Sequence, residues 1–141
     1  MHSPILAPHI TLVLWSFAVL AWLYLASFPA MVSSAIHPDP HRPKEEFHAQ
    51  LPVQLRWKLD NYNHLMEQPT LFYALTLGLA FLNEGAGLNA ALAWLYVGLR
   101  IGHSVVQATI NVILLRFAIF IAASLVLLAL AIRAAVVVFA A

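Results

Sequence analysis

Cysteine is absent from these 141 residues. Disulfides, thiolate metal sites and a protein thiol nucleophile are therefore excluded. Any thiol chemistry has to use a thiol that a substrate brings. Charge is scarce as well, at 9% of residues against roughly 25% in an average soluble domain. No basic run exists and the formal net charge is +1, which argues against a nucleic-acid surface. Residues 1–36 hold no Asp, Glu, Lys or Arg. A cleaved signal peptide would open with a basic region, and its apolar stretch would be shorter than this one. The segment reads as a retained membrane helix.

What is present is apolar. Hydrophobic residues make up 62% of the chain and the mean hydropathy is +0.84. The length allows one domain, 1–141, whose solvent is the bilayer rather than water. Four segments stand out, over about 10–30, 58–82, 88–106 and 112–139, with a polar, Pro-rich loop over 37–57. The apolar run after Gln68 is too short to cross a hydrocarbon core alone, since 14 residues rise only about 21 Å. Its helix should begin upstream, near 53–60, and carry Asn63, His64 and Glu67 inside it, with Pro69 kinking it. The fold class expected is an all-α membrane protein, a four-helix bundle running up-down-up-down. Arg42, Lys44, Arg56 and Lys58 fall in or beside the first loop, and the connection between the second and third helices holds no Lys or Arg. The positive-inside rule then puts the first loop in the cytoplasm and both termini outside it.

The polar residues of the apolar segments carry the functional signal. Glu67 is an acid at the mouth of an apolar run, where an unpaired charge would cost about 2.5–3.5 kcal/mol at a bilayer centre. Arg100, His103, Gln107 and Asn111 recur at three, four and four residues, which makes one narrow stripe on a helix. Asp60, Asn63, His64 and Glu67 make a second stripe, and Arg116 lies one turn into the last helix. Acid, base and amide groups from three helices thus meet at one depth. The plainer reading is an ion pair of Glu67 with Arg100 or Arg116 that only fixes helix register. His103 alone would be a hydrogen-bonded structural histidine, Asn111 a turn residue, and Arg133 a cation snorkelling to the far interface. Gly98 and Gly102 match the small-xxx-small packing pattern. His37, His41 and His48 lack ligand spacing, so no metal site is expected.

Asp60-Asn61-Tyr62-Asn63-His64-Leu65-Met66-Glu67-Gln68-Pro69, followed by Leu71-Phe72-Tyr73-Ala74, resembles the signature of the MAPEG family, the membrane-associated proteins in eicosanoid and glutathione metabolism. The block from Trp94 through Arg100, His103 and Asn111 to Arg116-Phe117 resembles the third and fourth helices of that family. The likeness is closest to its small bacterial branch. It implies a homotrimer of four-helix subunits in a bacterial inner membrane, with glutathione as co-substrate in a cytoplasm-facing site between subunits. It also assigns roles. Arg116 would be catalytic, holding a glutathione thiolate. Glu67, Arg100, His103, Asn63, His64 and Gln107 would bind glutathione or substrate. The chain departs from the enzyme pattern at Asp60, His64, Gln107, Phe117 and Phe120, where Arg, Asn, Tyr, Ser and Tyr are usual.

Two functions follow. One is a glutathione-dependent transferase or peroxidase acting on lipophilic electrophiles, with membrane lipids and a lipophilic small molecule as partners. The other is a non-enzymatic binder or carrier of a small anionic or amphipathic lipid in the same cleft. A proton-coupled exporter fits less well, because the first helix carries no acid.

Overall fold

The computed structural model describes residues 2–33 and 39–140, and His37 lies outside them. Six helices and no strand occur among the described residues: α1 Leu6–Ser33, α2 Lys44–Gln50, α3 Val53–Met66, α4 Pro69–Phe81, α5 Leu88–Thr109 and α6 Ile113–Phe139. The chain is all-helical. Two of the helices, α1 and α6, are long and apolar enough to cross a membrane. At 1.5 Å per residue they measure about 42 and 40 Å. Most of their surface faces outward, including Leu14, Phe17, Leu25, Leu114, Leu125 and Phe139. Apolar area of that extent on the outside suits lipid or another chain, not water.

The segment expected over 58–82 as one kinked helix is instead two. α3 starts at Val53, ends at Met66, and the backbone leaves helical geometry at Glu67, with φ −90° and ψ −98°. Pro69 occupies the first position of α4, where its missing N–H costs nothing. Glu67 therefore lies at the break and not inside a helix. The loop before it holds α2, a short helix that the apolar pattern does not signal. Pro43 and Pro52, both extended, precede α2 and α3. Glu45 and Glu46 lie in the first turn of α2, where carboxylates suit the positive end of the helix dipole.

The main core repeats at sevens. Ile5, Leu12 and Val19 come from α1 and the residue before it, Leu65, Phe72 and Leu79 from α3 and α4, and Ala123, Leu127 and Leu130 from α6. A seven-residue repeat keeps one seam facing its partner along two helices. The repeat carries across the break, so α3 and α4 act as one column. The Phe72 ring stacks on Tyr96 of α5 at 4.7 Å. A satellite cluster of Leu23, Leu51 and Leu55 joins the end of α1 to α2 and α3.

One end of the bundle gathers the N-terminus, the α4–α5 turn and the late part of α6. Ile5 donates its backbone N–H to the Gly85 carbonyl at 2.9 Å. Asn83 and Gly87 adopt positive φ, which lets the chain reverse there. Arg133 is exposed at this end, where its Nε donates to Asn89 Oδ1, while Asn89 Nδ2 donates to the Glu84 carbonyl at 2.7 Å. The other end holds α2 and the short α5–α6 turn. Near the first of these ends, Thr76 Oγ1 donates to the Phe72 carbonyl and accepts from His9 Nδ1 at 2.7 Å, tying α4 to the first turn of α1. A Cβ added at Gly98 or Gly102 would meet no neighbouring atom within 4 Å, so among the described residues no other helix fills that notch.

Gly85 tests the stapled N-terminus. A Cβ there would stand 2.0 Å from Ser3 Oγ and 2.6 Å from Ile5 Cγ2. Gly85→Ala should destabilise the protein by about 1–3 kcal/mol through overpacking, read as a lower Tm in detergent. An unchanged Tm would show that the staple does not form.

Candidate functional site

Four of the residues singled out from sequence share one cleft. His64 and Glu67 come from the end of α3 and the break, His103 from α5, and Arg116 from the first turn of α6. Ile113, Phe117 and Phe120 form an apolar wall, and the volume is about 240 Å³. His64 Nδ1 lies 3.0 Å from Glu67 Oε2, with the imidazole N–H donating to the carboxylate. Neither Arg100 nor Arg116 pairs with Glu67 among the described residues, so the register-fixing ion pair is not formed within the chain. Arg116 Nη1 instead donates to Asn111 Oδ1. Asn111 adopts φ 49° in the α5–α6 turn, a left-handed geometry that Asn tolerates. The turn thus sets where the Arg116 guanidinium sits.

Arg100 is 1% exposed and does not line the cleft. Its Nη2 donates to the His64 carbonyl at 2.8 Å. The last carbonyls of a helix lack intrahelical partners and carry the negative end of its dipole. A guanidinium there closes the end of α3 just before the break. Its carbon lies 6.0 Å from the ring of Phe120, which belongs to the cleft wall. Arg100 Nε and Nη1 have no hydrogen-bond partner among the described residues. His103 packs at the back of the cleft, 6.3 Å from His64 and 6.2 Å from Phe120, ring to ring.

Besides Arg100, two more of the expected site residues, Asn63 and Gln107, lie outside the cleft. Asn63 is exposed and lines a groove against α2. Helical arithmetic links it to Glu67, but α3 ends at Met66, so that arithmetic does not extend across the break. Gln107 is fully buried and does not line the cleft. It follows the α5 stripe inward, a turn beyond Ser104, which accepts from Asn61 Nδ2 at 2.8 Å. Lys58 Nζ sits over the Trp22 ring at 5.0 Å. Among the described residues no group of three or more His, Asp or Glu is arranged to hold a metal.

The family model described as the MAPEG family matches residues 5–136. The chain belongs to the MAPEG family. No curated protein and no solved structure matches it. Membership, together with the two apolar helices, makes this a membrane protein. At the level of the family it supports a glutathione-related transferase, peroxidase or related activity.

This MAPEG protein anchors its break with residues outside the set expected at the site. Gln68 Nε2 donates to Ser124 Oγ of α6 at 2.7 Å, and Tyr96 Oη of α5 donates to Gln68 Oε1 at 3.4 Å. Ser124 is a lone hydroxyl in an apolar helix, which is the one signal that could have pointed to it. Gln68→Ala should cost about 1 kcal/mol for the lost pairings and lower Tm by about 3 °C. A thermal scan of the detergent-solubilised variant checks this, and an unaltered Tm would show that the amide carries no weight.

Proposed function

We propose that this protein is a membrane-embedded glutathione-dependent transferase or peroxidase acting on lipophilic electrophiles. The observation that carries the reading is the convergence of Glu67, His64, His103 and Arg116 on one cleft with an apolar wall. The donor set suits glutathione. A carboxylate at Glu67 would meet the ammonium of the peptide. The cation at Arg116 would favour the thiolate, the form that reacts. Ile113, Phe117 and Phe120 would receive the apolar partner. Arg100 acts behind the cleft by holding the end of α3, and is a positioning residue in this reading.

The assembly that goes with this function is a homotrimer of four-span subunits in a bacterial inner membrane, with both termini outside the cytoplasm. Three observations support a neighbouring subunit at the cleft. At about 240 Å³ the cleft is below the roughly 300–1,000 Å³ usual for small-molecule sites. Glu67, Ile113 and Phe117 are exposed in the single chain. The open Gly98/Gly102 notch on α5 would admit a helix from another copy. The concentration of Lys and Arg at the α2 end supports a cytoplasmic location for that end.

The apolar wall favours a second reading, a non-enzymatic carrier of an amphipathic lipid, because Phe117 and Phe120 supply no hydroxyl to a thiolate. Isothermal titration of the detergent-solubilised protein with glutathione separates the two. The enzyme reading expects saturable binding in the millimolar range or tighter, weakened about tenfold in Arg116→Ala by loss of a charge-assisted contact. No heat from the wild type at millimolar glutathione sinks it.

A further inference from the structure

A second concavity among the described residues is larger than the cleft. It is an open groove of about 770 Å³ between α2 and α3, and it shares no lining residue with the cleft. Its volume falls in the range of ligand sites. Lys44 and Arg56 supply two cations to it, Glu45 and Asp60 two acids, and Asn63 an amide. Asp60 Oδ1 lies 3.2 Å from His48 Nε2, a contact that ties α2 to α3 along one edge. Lys44, Arg56 and Glu45 have no ion-pair partner within 4.0 Å among the described residues. Arg56 Nε is buried and also lacks a hydrogen-bond partner among them. A buried donor without a partner is costly.

The balance of charge selects the ligand. A purely anionic group would meet two acids, and a purely cationic one two bases. A zwitterion answers both. The floor adds a second constraint. Phe47 and Leu59 line the groove and pack on the Leu23, Leu51 and Leu55 cluster. Charged walls over an apolar floor suit an amphiphile. The position agrees, because Arg42, Lys44, Arg56 and Lys58, four of the seven Lys and Arg residues, gather in this part of the chain. Phosphate headgroups lie at such a membrane surface.

We propose that the α2–α3 groove is a binding site for a zwitterion that carries a phosphate and an ammonium, of the phosphoethanolamine type. Lys44 and Arg56 hold the phosphate. Glu45 and Asp60 face the ammonium. Phe47 and Leu59 accept the adjoining apolar part. The site stands apart from the glutathione reading of the cleft, and failure of that reading leaves it in place.

Native mass spectrometry of the full chain, released from detergent with added phosphatidylethanolamine or phosphatidylglycerol, tests the site. Phosphatidylethanolamine should be retained preferentially. Arg56→Gln and Lys44→Gln should each weaken retention about tenfold, while Arg116→Gln leaves it unchanged. Soluble O-phosphoethanolamine is the second arm. Competition by it identifies the free zwitterion as a sufficient ligand, and retention of the lipid without competition identifies the lipid as the source. Equal retention of the two lipids, or an Arg56→Gln variant that binds like the wild type, would overturn the proposal.

Discussion

A buried guanidinium on a helix end organises this molecule. Arg100 Nη2 meets the His64 carbonyl at 2.8 Å, close to the last residue of α3, Met66. Within apolar surroundings a backbone group without a partner costs several kcal/mol, so an interrupted helix needs its carbonyls answered from outside. Arg100 does this from α5. Gln68, on the far side of Glu67, adds ties to Tyr96 and Ser124. The interruption between Met66 and Pro69 is thereby held from two neighbouring helices. Its consequence is local and chemical. Glu67 is released from the helix and stands in the cleft beside His64, together with Arg116.

The rest of the bundle makes that joint possible. The seven-residue spacing of Leu65, Phe72 and Leu79 keeps α3 and α4 on one seam although the backbone breaks between them. Core packing thus absorbs the break, and polar contacts define its shape. The same logic governs the ends. Gly85 admits the N-terminal segment, and Arg133 ties α6 to Asn89 at the start of α5. The three arginines of the apolar helices, Arg100, Arg116 and Arg133, each donate to a backbone or amide oxygen. Of the three, Arg116 is the one that also lines the cleft.

The sequence is informative where periodicity and hydropathy decide. The apolar runs mark the long helices, and the α5 spacing puts Arg100, His103 and Gln107 on one face, all of them buried. Asn111 is legible as a turn residue because Asn tolerates positive φ. Legibility fails where a backbone contact decides. Pro69 signals a disturbance within residues 58–82 but not that the helix ends as early as Met66, because Gln68 keeps helical angles and the departure falls on Glu67. For that reason helical spacing misplaces Asn63. Arg100 reads as a ligand-binding cation, since a sequence does not show whether a guanidinium points at a ligand or at a carbonyl. Lys44 and Arg56 read only as topology markers. They line one groove because α2 packs beside α3, and α2 has no apolar pattern of its own to announce it.

The absence of cysteine allows a direct test of the central claim. Glu67→Cys with Arg116→Cys supplies the chain's only two thiols, both at the cleft. A short bifunctional thiol reagent, read on a denaturing gel by mobility and by mass, reports whether they face each other. Efficient bridging within one chain is expected when Arg100 is present. Most of it should be lost when Arg100→Gln is added, with the helical content of the protein retained. Bridging that is equal in the two backgrounds, or absent from both, would contradict the claim that Arg100 sets the break that presents Glu67 to Arg116.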